Sequence, residues 1–148
     1  MAKRIIVPVD GSTHALAALD VAADLATQRG QKICLLHVVP SGGIPQGMEQ
    51  WVGVEHVHES PTWLYDEGVA QNVLTTAADR IADKPSLQVE RVVDRGDPAK
   101  CIIALSKADD VAMVVMGCRG LSDFVGLALG SVAHKVSHGA KCPVVTVT

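Results

Sequence analysis

The run Ile5-Ile6-Val7-Pro8-Val9-Asp10-Gly11-Ser12 decides the fold. Its apolar residues stop at an Asp-Gly-Ser turn signal, which predicts a short buried strand over residues 5–9. Pro8 has no N–H to give a sheet ladder, so it belongs at the strand's carboxyl end. Ser12 is placed to cap a helix over residues 13–29, where Ala15, Leu19, Ala22 and Ala26 recur at helical spacing and Gly30 marks the stop. Residues 33–39 are apolar again and predict a second buried strand. A strand, a helix and a second strand in immediate succession predict a parallel pair with a crossover helix.

The rest of the chain repeats this alternation. Val69, Val73, Ala77 and Ile81 line one face of a helix over 66–83. Residues 87–93 alternate like a strand. Asp97-Pro98 opens a helix that runs to about residue 107, with Asp as cap and Pro at the first helical position. Residues 111–116 form the most apolar strand, 131–138 a short helix, and 144–147 a last strand. Between Pro40 and about Tyr65 lies an irregular stretch rich in glycine and proline, with Trp51, His56, His58 and Trp63. It reads as a long, partly helical loop, and loops of that length in compact domains usually carry function. The order predicts an α/β, doubly wound, five-stranded parallel sheet with helices on both faces. No repeat or linker divides the chain, so residues 1–148 form one domain.

Composition narrows the function. The chain is 148 residues long, 48% hydrophobic and 20% charged, a balance that excludes a disordered polymer. A formal charge of -3 lacks the basic excess of a nucleic-acid binder, and two Trp, one Tyr and one Phe make a poor base-stacking platform. No nucleic acid is expected as a partner. Apolar runs such as residues 124–133 fall short of the roughly 20 residues needed to span a membrane. The apolar residues before Asp10 are too few for a signal-peptide core. Cys34, Cys101, Cys118 and Cys142 form no Cys-x-x-Cys pair and read as reduced thiols of a cytoplasmic protein.

In a doubly wound sheet, ligands bind beyond the carboxyl ends of the strands where the winding reverses. Two strand ends stand out. The first is Pro8-Val9-Asp10-Gly11; the fourth is Met116-Gly117-Cys118-Arg119-Gly120, leading on to Gly130-Ser131 and a helix. Glycines let backbone N–H groups approach an anion, and a helix N-terminus supplies unpaired donors and partial positive charge. Ser131 adds a hydroxyl. Such a site suits phosphates, with Asp10 suited to a sugar or base. Plainer readings stand beside this one: Asp10 as a helix cap, Gly117 and Gly120 as an ordinary turn, Ser131 as an N-cap. His134 and His138, four apart, can share a helix face and bind metal, or simply complement the helix dipole. His56 and His58 read as solvated side chains, because metal binding needs more converging ligands. Trp51 and Trp63 read as loop or core packing rather than a lid. There is no Gly-x4-Gly-Lys-Ser/Thr P-loop and no Gly-x-Gly-x2-Gly run after the first strand.

The pattern Gly117-x2-Gly120-x9-Gly130-Ser131 resembles the nucleotide-binding signature of the universal stress protein family. The opening Ile5–Ser12 run, Leu35-Leu36-His37-Val38, Gly117-Cys118-Arg119-Gly120, Gly130-Ser131-Val132 and Cys142-Pro143-Val144-Val145 carry the resemblance over the whole chain. It implies a universal stress protein domain over 1–148, sheet order 3-2-1-4-5, an adenine nucleotide in the crevice and a homodimer. By position, Pro8, Val9, Asp10 and Val38 would hold adenosine. Met116 and Gly117 would lie by the ribose. Gly120, Gly130, Ser131 and Val132 would hold the phosphates of ATP, or of AMP or ADP, with Mg carried by the nucleotide. Ala133 departs from the pattern, because ATP-binding members often carry a hydroxyl there. Arg119 and Lys135 are nearby cations able to compensate, and Arg119 is counted with the site. The last strand, Val144, Val145, Thr146 and Val147, is an apolar sheet edge that a twofold partner would cover.

The expected role is a cytoplasmic, ATP-binding regulator of stress response with an unidentified protein partner. Enzymatic activity is limited to slow ATP hydrolysis, because no base is placed by pattern near the phosphates. The alternative is an interaction module of the same fold working through residues 40–65 without nucleotide.

Overall fold

The computed structural model describes residues 2–39, 62–119 and 129–148. It contains five strands and four helices in strict alternation: β1 (Arg4–Pro8), α1 (Thr13–Arg29), β2 (Lys32–Val39), α2 (Thr62–Arg80), β3 (Val89–Arg95), α3 (Pro98–Leu105), β4 (Val111–Gly117), α4 (Ser131–Gly139) and β5 (Val144–Val147). All strand pairs are parallel, in the order β3-β2-β1-β4-β5. The expected sheet is therefore the observed one. Pro8 is the last residue of β1, opposite Leu36, where its missing N–H costs the ladder least.

Alternation along the strands splits the core into two layers. Ile5, Val7, Ile33, Leu35, Met113 and Val115 pack against α1 and α2. Ile6, Cys34, Leu36, Val114 and Met116 pack against α3 and α4. Most of these strand residues are fully buried, as a parallel sheet covered on both faces requires. Helix α1 meets the sheet mostly through alanines: Ala15, Ala18, Ala22, Ala23 and Ala26 are all buried. Small side chains let the helix axis come close to the strands.

The helix ends follow local chemistry. Ser12 accepts a hydrogen bond from the Ala15 N–H, and Gly30 closes α1 in the left-handed region at φ 63°. Asp97 accepts from the Lys100 N–H, with Pro98 at the first position of α3. Helix α2 starts at Thr62, four residues before the expected start, and ends at Arg80. Beyond it the Ile81 and Ala82 N–H groups turn back to Ala78 and Asp79, so the expected end at residue 83 falls in a tightened final turn. Strand β3 begins at Val89, because the Leu87 N–H bonds Lys84 and holds residues 84–87 in a turn. Helix α3 stops at Leu105; after it the Lys107 and Ala108 N–H groups bond Ala104 and Leu105. Of the irregular stretch, residues 62–65 belong to α2. Residues 40–61, with Trp51, His56 and His58, lie outside the described residues, as does Gly120.

Arg4 clamps the amino edge of the sheet, 3.3 Å from Glu90 on β3 and 3.0 Å from Asp110 ahead of β4. That edge is structural; the opposite, carboxyl edge holds the candidate site. No helix among the described residues is long and apolar enough to cross a membrane.

Candidate functional site at the switch point

The chain leaves β1 toward β2 on one side and later returns to place β4 on the other, so the winding reverses between β1 and β4. The carboxyl ends of these strands are where a crevice forms. On the β1 side, the Val9 N–H reaches the Leu36 carbonyl at 2.8 Å and extends the ladder one residue past the strand. Val9 is buried, while Asp10 is partly exposed. The Asp10 carboxylate accepts from the Ser12 N–H at 2.9 Å, and Gly11 takes φ 89°. Asp10 thus shapes the turn into α1; the helix cap is Ser12, not Asp10. Val38, next to last in β2, is half-buried against the α3/α4 layer.

A buried histidine ties these segments together. His37 Nδ1 lies 2.8 Å from the Val9 carbonyl oxygen. A carbonyl only accepts, so Nδ1 carries the proton. Burial pushes the His37 imidazole below its ordinary value, outweighing the Val9 hydrogen bond and the nearby Asp10 carboxylate.

On the β4 side, Met116 is buried in the α3/α4 layer. Gly117 faces α1 so closely that a Cβ there would sit 2.8 Å from the His14 backbone carbon and Cβ. This glycine is therefore demanded by helix–strand approach, whatever else it does. The Cys118 N–H bonds the Val147 carbonyl at 2.9 Å, and the Cys118 carbonyl accepts from the Gly130 N–H. One peptide segment thereby joins β4 to both β5 and the start of α4. Gly130 is the N-cap of α4 and, as a glycine, has no side chain to cap that end; Ser131 is the first helical residue rather than the cap. A helix's first-turn N–H groups have no intrahelical acceptor, so this end suits an anion. Ser131 is exposed and Val132 half-buried. Ala133 is buried in the α3/α4 core beside Val136 and Ile102, and presents no hydroxyl.

Pro8, Val9, Asp10, Val38, Met116, Gly117, Arg119, Gly130, Ser131 and Val132 thus lie at one end of the sheet, around the β1–β4 boundary. The side-chain cation here is Arg119, half-buried, with Nη2 3.3 Å from His14 Nε2. His14 Nδ1 faces Cys118 Sγ at 3.6 Å. His14 and His37 are the site-lining residues that sequence reading overlooked. A signal for each exists: His14 precedes buried Ala18 and Ala22 at intervals of one turn, and His37 interrupts the apolar run of β2.

Cys118 is buried, and all four cysteines are unpaired. His134 and His138 stand in contact on α4, ring centroids 4.6 Å apart, both exposed. Among the described residues, no group of three or more His, Cys, Asp or Glu could hold a metal ion.

A parallel sheet of this order with helices on both faces defines a doubly wound α/β domain, and comparison gives the family. The universal stress protein family model matches residues 1–148, and the chain belongs to that family. Universal stress protein YxiE of Bacillus subtilis is 31% identical over 150 residues, with 99% of each chain covered. The chain spans only 45% and 43% of two longer mycobacterial relatives. Among solved structures, the universal stress protein UspA from Lactobacillus plantarum superposes with TM-score 0.79 at 22% identity, covering 99% of this chain and 97% of that one. A universal stress protein in complex with cAMP superposes with TM-score 0.71 at 26% identity, covering 99% of this chain and 97% of that one.

Proposed function

We propose that this protein binds an adenine nucleotide, ATP with Mg or a shorter form, in the crevice between β1 and β4, as a homodimeric cytoplasmic regulator of stress response. The observation that carries the reading is the hydrogen bond from Gly130 to Cys118, which brings the uncapped start of α4 to the carboxyl end of β4. Pro8, Val9, Asp10 and Val38 hold adenosine, Met116 and Gly117 lie by the ribose, and Gly130, Ser131, Val132 and Arg119 face the phosphates. The solved universal stress protein in complex with cAMP supports an adenine nucleotide as the class of ligand.

Calorimetric titration with ATP, with and without Mg, of protein freed of retained nucleotide is the test. One saturable site per chain is expected, lost in Gly130→Leu. Absence of heat, or binding untouched by Gly130→Leu, sinks the proposed site and favours an interaction module working through residues 40–65. Phosphate release above that of the Gly130→Leu control would add slow hydrolysis to the role.

A second reading concerns the phosphate chain. Ala133 is buried and has no hydroxyl to give, which favours a short or cyclic phosphate. Competition between cyclic AMP and ATP separates the two: cyclic AMP displacing ATP at comparable concentration supports the short form.

The dimer reading rests on the sheet's two edges. Edge strand β3 carries Glu90, Arg91, Asp94 and Arg95, charges that blunt strand pairing. Edge strand β5 reads Val144, Val145, Thr146, Val147, with no charge, and among the described strands pairs only with β4. A second copy covers that open edge.

A further inference from the structure

We propose that His14 is a positioning residue for the phosphate end of the crevice, acting by holding Arg119. The inference rests on the nucleotide reading above and adds a residue to it.

His14 engages three consecutive residues at the end of β4. Its backbone and Cβ abut Gly117, where a Cβ would meet them at 2.8 Å. Its Nδ1 lies 3.6 Å from Cys118 Sγ. Its Nε2 lies 3.3 Å from Arg119 Nη2. A guanidinium has only donors, so Nε2 is the acceptor and the ring proton sits on Nδ1, facing the sulfur. The direction of the chain is thereby set: Arg119 donates to His14, and His14 donates to Cys118.

The ring is also rigidly mounted. His14 stands in the first turn of α1, which Ser12 caps through the Ala15 N–H at 3.2 Å. The close approach at Gly117 leaves that turn no room to shift toward β4. A ring on such a base can orient a flexible arginine that would otherwise lose rotamer entropy on meeting a ligand.

The chemistry of the partner matters as much as its position. A carboxylate in the place of His14 would orient Arg119 and also neutralise it. A neutral imidazole orients the guanidinium and leaves its charge for an anion. Among the described residues Arg119 makes no ion pair. A pre-aimed guanidinium that no described carboxylate neutralises, one residue from the Cys118 carbonyl that holds Gly130, fits a phosphate chain, which it can engage through paired N–H donors.

The test is calorimetric titration of adenosine and of ATP into five proteins: wild type, His14→Leu, His14→Gln, Arg119→Met and the double variant His14→Leu/Arg119→Met. Thermal unfolding confirms that each is folded. His14→Leu should weaken ATP binding about tenfold, the scale of one hydrogen bond to a charged group, and leave adenosine binding unchanged. His14→Gln should recover most of the loss, because its Oε1 can accept from the guanidinium. Arg119→Met should weaken ATP as His14→Leu does, and the double variant should lose no more than either. Equal weakening of adenosine and ATP in His14→Leu would make the role purely structural and overturn the proposal. So would unchanged ATP binding in His14→Leu alongside a loss in Arg119→Met. Wild-type protein that binds neither compound would overturn the nucleotide reading itself, and this inference with it.

Discussion

At the scale of single residues, two positions carry consequences that can be measured apart from any ligand. Gly117 is a glycine because α1 leaves no space for a Cβ, the obstacle being backbone rather than a movable side chain. Gly117→Ala should therefore lower stability by about 1–3 kcal/mol, the usual cost of overpacking, as read from urea unfolding. A midpoint equal to wild type would show that α1 can yield. His37 gives a dependence on pH. Burial holds its imidazole below the ordinary value, so the unfolded chain binds this proton more readily than the folded one. Its contribution is complete above the ordinary histidine value of about 6.5 and is lost as pH falls through the lower folded-state value. The urea midpoint should therefore drop more in wild type than in His37→Asn on going from about pH 7.5 to about pH 5.5. The Asn amide can still donate to the Val9 carbonyl. Equal drops in both proteins would remove His37 as the cause.

At the scale of elements, the helix ends are local devices with local costs. Ser12 and Asp97 each accept a first-turn N–H, and substituting either by alanine should cost about 1 kcal/mol of stability. The two sites lie on opposite faces of the sheet and share no partner, so their effects should add in the double variant. Chemical denaturation of the two single variants and the double checks both statements. Loss of the Ser12 cap should also loosen the turn that mounts His14, so Ser12→Ala should weaken ATP more than adenosine. Asp97→Ala, at the start of α3 beyond edge strand β3, should leave both ligands alone. The uncapped end of α4 is the contrast: Gly130 offers no side chain to satisfy the first-turn donors, and an anion is the proposed substitute.

At the scale of the whole molecule, the sheet has two unequal edges, and the proposed dimer uses the uncharged one. Thr146 is exposed on β5, so Thr146→Lys should leave the fold intact while placing a charge on the pairing edge. Sedimentation velocity should show the wild type as a dimer and Thr146→Lys shifted toward monomer. A wild type that sediments as a monomer at all concentrations would remove the dimer from the proposed function.

Much of this was legible in the residues themselves, and the reason is that it is local. The apolar run ending at Pro8, the alanine spacing of α1, Ser12, Gly30 and Asp97-Pro98 each state their structure within a few positions. Alternation of strand and helix then leaves few ways to wind the sheet, and Gly117, Gly130 and Ser131 mark the end proposed to bind the ligand. Element boundaries were less legible. Residues 62–65 join α2 ahead of the expected start, and adding residues to an existing helix is far cheaper than starting one. What only the tertiary structure decided are contacts between distant positions. His14 meets Cys118 and Arg119 across 104 and 105 residues, and His37 reaches Val9 across 28. No periodicity in the chain encodes such a meeting. It arises because the sheet order sets β4 beside β1, and the alanine face of α1 then lets its first turn rest against Gly117.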